Sequence, residues 1–199
     1  MQNSKCSAII LSAGFSSRMK QAKFSLMFDE QRTFLEKIVE EYQNFNCEEI
    51  IVVMNSDGIK LKEDLNLTFS KNVIFVLNKS PKRERFLSLQ IGLKALKRQN
   101  YIFMQNIDNP FVNQYVLKSL YKNRTFANYI IPSFNNKGGH PILLSENIVN
   151  SAINEIKNDL NLKEYLQNFS KKYVNIDYEK ILININTPDV YKDFFYGNI

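Results

Sequence analysis

Six short apolar runs, at residues 8–13, 49–54, 73–77, 101–107, 129–131 and 181–185, alternate with segments whose apolar residues recur at helical spacing. Strands buried on both faces read as continuous apolar runs, and neighbouring parallel strands need a long crossover, usually a helix, to join them. The alternation predicts an α/β fold, a doubly wound and mostly parallel sheet with helices on both faces. Phe34, Leu35, Ile38, Val39 and Tyr42 share one helical stripe, which Thr33 and Glu36 open with a capping box. Phe86, Leu89, Leu93 and Leu96 form a second stripe, and Val116, Leu117, Leu120 and Tyr121 a third. Ser145 is placed to cap a helix through Ile148, Val149, Ala152, Ile153 and Ile156, and Thr187-Pro188-Asp189 opens a last one. In open α/β sheets ligands sit at the carboxyl ends of the strands, so the residues that follow the runs are the place to look for chemistry.

A chain of 199 residues with 44% hydrophobic content supports one sizeable core, and residues 1–199 read as one domain. The formal charge of +6 is scattered apart from residues 79–85, and no aromatic–basic interleaving offers a stacking surface for bases. The expectation is a solvated basic surface serving a small anionic substrate, with no nucleic acid as partner. The two cysteines, Cys6 and Cys47, have no metal-ligand spacing and imply no disulfide framework. No signal-peptide shape is present, and no apolar stretch approaches the roughly 18 residues of a membrane span. A cytoplasmic protein without a membrane partner is expected.

The first run breaks into a loop of small residues with two spaced cations: Leu11, Ser12, Ala13, Gly14, Ser16, Arg18 and, further on, Lys23. Ala13, Gly14, Ser16 and Ser17 let backbone N–H groups approach phosphate oxygens closely. Arg18 can fork onto two oxygens and Lys23 acts as a point charge. Neither the dinucleotide fingerprint G-x-G-x-x-G nor a G-x-x-x-x-G-K-[ST] loop occurs, which argues against a Rossmann-type oxidoreductase. The run at 101–107 delivers Asp108 at its end, with Pro110 stopping the ladder.

The loop resembles the N-terminal motif of the MobA-like nucleotidyltransferases, L-A-[AG]-G-x-S-x-R-M-G-x-x-K. Leu11, Ala13, Gly14, Ser16, Arg18, Met19 and Lys23 match, Ser12 replaces a small Ala, and Lys20 replaces a Gly. The resemblance continues in order along nearly the whole chain. It implies that Asp108, in Asp-x-Pro, binds a magnesium ion, and that Asn184-Ile185-Asn186-Thr187-Pro188 supplies the second metal position. Alternation along the strand expected at 181–185 points Asn184 and Asn186 to one side. Asn78 and Ser88, with Gly92-Leu93, match a segment that contacts the nucleoside, although Glu84 stands where the family usually has Gly. Gly139 and His140 match a turn beside the acceptor. As the nucleophile is an ionised phosphate, His140 is not required as a base.

The implied activity transfers a nucleoside monophosphate from a Mg²⁺-bound NTP to a phosphorylated small-molecule acceptor such as molybdopterin, releasing pyrophosphate. Lys23 would steady the α-phosphate and Arg18 the outer phosphates. Ala13 before Gly14 resembles the cytidylyl branch and favours CTP. The alternatives are guanylyl, sugar-phosphate or phosphocholine transfer, or a nucleotide-binding protein that has lost catalysis. The protein is expected to act as a monomer or homodimer.

Overall fold

The computed structural model describes residues 6–83, 85–98, 100–157 and 160–197. Strands β1 (Cys6–Ser12), β2 (Ile50–Met54), β3 (Val73–Leu77) and β4 (Tyr101–Asn106) lie side by side in the order β3-β2-β1-β4, all parallel. Beyond β4 the sheet changes character. β7 (Ile142–Leu144) runs antiparallel to β4, β5 (Tyr129–Phe134) antiparallel to β7, and β6 (Lys137–Gly138) antiparallel to β5, while β8 (Lys171–Asn175) pairs with β5 in parallel.

Every residue of β1 is buried, because both its faces are covered. Ala8 and Ile10 point into the cluster formed with α1 (Phe34–Asn44) and α4 (Gln114–Lys122), including Phe34, Ile38, Tyr42, Val116 and Leu120. Ile9 and Leu11 point the other way, onto α3 (Arg85–Ala95) and α5 (Glu146–Asn154) through Phe86, Leu89, Leu93 and Ile148. This two-sided burial is what made the run unbroken in sequence. On α3, a Cβ at Gly92 would stand 2.7 Å from Ile9 Cγ2, so a side chain there would push the helix off the sheet.

The capping box of Thr33 and Glu36 forms in full, and Thr187 caps α7 (Pro188–Phe195) by accepting from the Val190 N–H. Three expectations need correction. Ser145 occupies the N-cap position of α5, yet its hydroxyl makes no capping bond and is buried without a partner among the described residues. The helix stops at Asn154 and leaves Ile156 92% exposed, so that residue belongs to no buried stripe. The run 181–185 is not a strand. It starts in a 3₁₀ turn, Glu179–Leu182, and continues as unpaired extended chain, because its backbone groups bond to the loop after β4 and not to a neighbouring strand. Short buried apolar runs do not by themselves distinguish these outcomes. Helices α2 (Ser56–Asp64) and α6 (Leu162–Leu166), and the small strands β6, β7 and β8, add to what the apolar pattern announced. Among the described residues no helix is long and apolar enough to cross a membrane.

Candidate functional site

β1 ends at the sheet's centre, and the loop that follows is anchored at a few points only. The buried Ala13 carbonyl accepts from Asn55 Nδ2 at 3.0 Å, while Asn55 Oδ1 caps α2 by accepting from the Gly58 N–H at 2.7 Å. Further along, Met19 and Phe24 are buried and pin the loop to the core. Between these anchors Gly14, Phe15, Ser17, Arg18 and Lys20 are exposed. Ser16 and Lys20 hold left-handed backbone, φ 51° and 56°, and the Ser16 carbonyl accepts from the Met19 and Lys20 N–H groups. The glycine of the motif that Lys20 replaces is thereby explained: the turn needs positive φ, and Lys20 adopts it against its preference. Gly14 differs. Its φ is not positive and a Cβ there would meet nothing within 4 Å, so neither fold nor packing requires glycine at this position.

Lys23 turns back across the sheet ends. Its Nζ donates to Asn186 Oδ1 at 2.5 Å and stands 3.5 Å from Asp108 Oδ2, joining residues 163 positions apart in sequence. Lys23 and Asp108 keep 14% and 23% of their side-chain surface exposed. The other Asp108 oxygen, Oδ1, is buried and has no hydrogen-bond partner among the described residues. A buried carboxylate oxygen left without a donor is a natural cation ligand.

A cavity of about 150 Å³ opens here, lined by Leu11, Ala13, Gly14, Ser16, Lys23 and Asp108 together with Arg85, Ser88, Asn106 and Ile107. A second, of about 260 Å³, lies across the loop, where Ser12, Phe15, Lys20, Asn55 and Asp57 join Gly14, Ser16 and Lys23. Ser88 sits within the first turn of α3 and is no cap; its Oγ accepts from Asn78 Nδ2 at 2.9 Å. Asn78, 1% exposed, also accepts from the Ser80 N–H. It therefore backs Ser88, and only Ser88 lines the cavity. Glu84 lies outside the described residues.

His140 meets the site through Asn106. Its Nε2 lies 3.1 Å from Asn106 Nδ2, and its Nδ1 is buried without a partner among the described residues. Burial pushes the His140 pKa down, with Asp108 opposing that shift and Arg85 adding to it. The ring is therefore neutral at pH 7, and the amide can donate to Nε2. Gly139 is buried against the 3₁₀ turn, where a Cβ would stand 2.5 Å from the Ile181 carbonyl oxygen; the residue seats His140 and faces no open space.

The expected residues thus separate into two sets. Leu11, Ala13, Gly14, Ser16, Lys23, Ser88 and Asp108 line one cavity, with Asn186 on Lys23 and Ser12 in the neighbouring cavity. Arg18 is exposed and lines neither. Asn78, Gly139 and His140 line neither as well, and Asn184 is exposed, its amide reaching back to the Leu182 carbonyl at 3.5 Å. With no strand at 181–185, strict alternation does not apply, and only Asn186 turns inward. Sequence reasoning missed Asn55, Arg85, Asn106 and Asn109. Asn55 carried a legible signal, an Asn between an apolar run and Ser-Asp-Gly, which is an N-cap pattern.

One carboxylate, one amide oxygen and a lysine converge here, an arrangement with the chemistry to hold an anion and its counter-cation. Among the described residues there is no cluster of three or more His, Cys, Asp or Glu. A site with one carboxylate suits Mg²⁺, which usually keeps waters and takes much of its coordination from substrate phosphates. The chain is 29% identical over 181 residues to the molybdenum cofactor cytidylyltransferase of Escherichia coli, covering 91% of each. It is 25% identical over 205 residues to a probable molybdenum cofactor guanylyltransferase of Clostridium perfringens, covering 95% of this chain and 96% of that one. In fold it is similar to Rv0371C of Mycobacterium tuberculosis, solved in complex with manganese, with a TM-score of 0.75, 14% identity, and coverage of 98% and 100%. Residues 8–175 match the MobA-like NTP transferase domain. The chain belongs to that family and is a nucleotidyltransferase.

Proposed function

We propose that the protein transfers a nucleoside monophosphate, with CTP the favoured donor, to a phosphorylated small-molecule acceptor such as molybdopterin, releasing pyrophosphate. The observation that carries this reading is the convergence of Lys23, Asp108 and Asn186 beside a cavity whose rim is the Gly14 loop. Gly14 leaves the backbone open to phosphate oxygens, and Ser16 offers a hydroxyl on the same wall. Lys23 supplies positive charge where it builds on the α-phosphate, and Arg18, exposed on the loop, reaches the outer phosphates. Ser88, held by Asn78, presents its hydroxyl to the nucleoside. Neutral His140, seated by Gly139, lines the acceptor side and is not needed as a base.

Asp108 and Asn186 would hold a Mg²⁺ ion, and the orphaned Asp108 Oδ1 is the atom that fits it best. Once bound, the ion offsets negative charge on the nucleotide phosphates. The protein's own share is positioning and fixed charge, with no covalent intermediate. CTP is favoured by Ala13 before Gly14 and by the cytidylyltransferase relative. The test is pyrophosphate release from CTP, GTP, UTP and ATP with Mg²⁺ and molybdopterin, beside a panel of sugar phosphates and phosphocholine. CTP turnover with molybdopterin supports the reading in full, and turnover with GTP moves it to the guanylyl branch. Tight nucleotide binding with no release across the panel makes the protein a binder that has lost catalysis.

A further inference from the structure

We propose that Asn109 is a positioning residue that sets the spacing of Asp108, Asn186 and His140 by gathering the carbonyls of the 180–183 segment. The proposal rests on the reading of the site given above. Asn109 is 0% exposed. Its Nδ2 lies 2.7 Å from the Ile183 carbonyl oxygen, 3.0 Å from that of Ile181 and 3.4 Å from that of Lys180. An amide nitrogen has two hydrogens, so the bonds to Ile183 and Ile181 are the full ones and Lys180 is a marginal third.

Two backbone bonds tie the segment that Asn109 holds to the site. The Ile185 N–H donates to the Asp108 carbonyl at 2.7 Å, which places Asn186 next to the carboxylate. The Ile181 carbonyl that Asn109 holds also accepts from the His140 N–H at 3.0 Å. Behind Asn109 the chain of bonds runs into the core: Gln105 Nε2 donates to the Asn109 and Asn106 carbonyls, both at 2.8 Å, and Gln105 Oε1 accepts from Tyr42 at 3.0 Å. Gln105 and Tyr42 are fully buried. Asn109 Oδ1, in contrast, is buried with no partner among the described residues, a destabilising feature that stability alone does not favour. Holding the remote 180–183 segment in register gives the amide a purpose that stability does not.

The loop after β1 is anchored separately, through Asn55 and Ala13. Loss of Asn109 should therefore loosen the metal wall and spare the phosphate wall. The experiment compares wild type with Asn109→Ala and, in case that variant does not fold, Gln105→Leu, which removes the support behind Asn109. Mn²⁺ binding is read by electron paramagnetic resonance with a non-hydrolysable CTP analogue, CTP binding by calorimetry in EDTA, and folding by thermal melting. Half-saturating Mn²⁺ is expected to rise about 10- to 100-fold, as when partners of metal ligands are removed. CTP affinity in EDTA should stay within about twofold, because no counter-charge from the metal wall is involved. Turnover should recover at high metal. A lower melting point with unchanged Mn²⁺ half-saturation would reduce Asn109 to scaffold, and a parallel loss of metal-free CTP binding would overturn the separation of the walls. Wild type that binds no Mn²⁺ with the analogue would sink the functional reading itself, an outcome visible before any variant is made.

Discussion

The wall of the site after β1 and the wall after β4 reach the same cavity by opposite means. The first is exposed, holds two non-glycine residues at positive φ, and is fixed by Asn55 and the buried Met19 and Phe24. The second is threaded with buried amides, Gln105, Asn106 and Asn109, that bond to backbone or to His140. An exposed loop with spare cations suits a ligand that arrives with its own charge, since the cations stay hydrated until it binds. A buried amide network fixes atoms to a fraction of an ångström, which is what a metal ligand set demands. Lys23 belongs to the first wall in sequence and touches the second in space.

The largest effect is expected from breaking that bridge. Lys23→Met should lower kcat in the pyrophosphate-release assay about 10²- to 10³-fold, the usual cost of removing one fixed charge-stabilising donor. Asp108→Asn should lower kcat about as much. The two should part company in metal binding by the free protein. Asp108→Asn removes the one carboxylate on the wall, whereas Lys23→Met removes a cation that already occupies the space between Asp108 and Asn186. Mn²⁺ titration should thus show tighter binding for Lys23→Met than for wild type, and weaker binding for Asp108→Asn. Equal metal affinity in all three would mean that Asp108 holds no metal and that the Lys23 cation does not compete with one.

Next in size is Gly14→Ala, which isolates the first wall. The added methyl meets no protein atom within 4 Å, so stability should rise by about 0.5 kcal/mol through the stiffer unfolded chain. On the proposed function, nucleotide affinity by calorimetry should fall about tenfold, because the methyl would stand where phosphate oxygens are to approach the backbone. A variant that loses stability without losing affinity would show that Gly14 serves the fold. Lys20→Gly probes the same wall by the reverse kind of exchange, glycine put in and not taken out. It relieves the left-handed strain at φ 56° and should stabilise by about 1 kcal/mol in denaturant melts.

Most of the frame was legible because its residues are buried in a periodic way. The runs of β1 to β4 and the stripes of α1, α3 and α4 are set by which faces meet the core. The loop after β1 was legible for another reason: small residues and spaced cations have few uses after a parallel strand. The part that escaped is built from long-range polar contacts. Nothing local in Asn109 or Asn106 says that one will hold a turn some 70 positions on or that the other will meet His140. The run 181–185 was misread for the same cause, since its backbone partners come from the β4 loop and leave no periodic trace. β8 was missed because its half-exposed Lys171-Lys172-Tyr173-Val174-Asn175 presents no apolar run.

The smallest effect is a pH dependence on the second wall. Burial lowers the His140 pKa below its ordinary 6.5, and of the charged groups that face it Asp108 resists the change while Arg85 reinforces it. An unfolded chain takes up the proton near pH 6.5, whereas the folded one waits until a lower pH. Between those values the unfolded state binds more protons, so stability falls as the pH drops through that window and this group contributes no slope above it. His140 is the chain's only histidine, and ordinary carboxylates titrate nearer 4, so chemical denaturation between about pH 5 and 7 reads this one group. His140→Gln should flatten the slope there and retain a donor or acceptor for Asn106. An unchanged slope in the variant would mean that His140 titrates as it does in water and that the second wall is wetter than its buried Nδ1 implies.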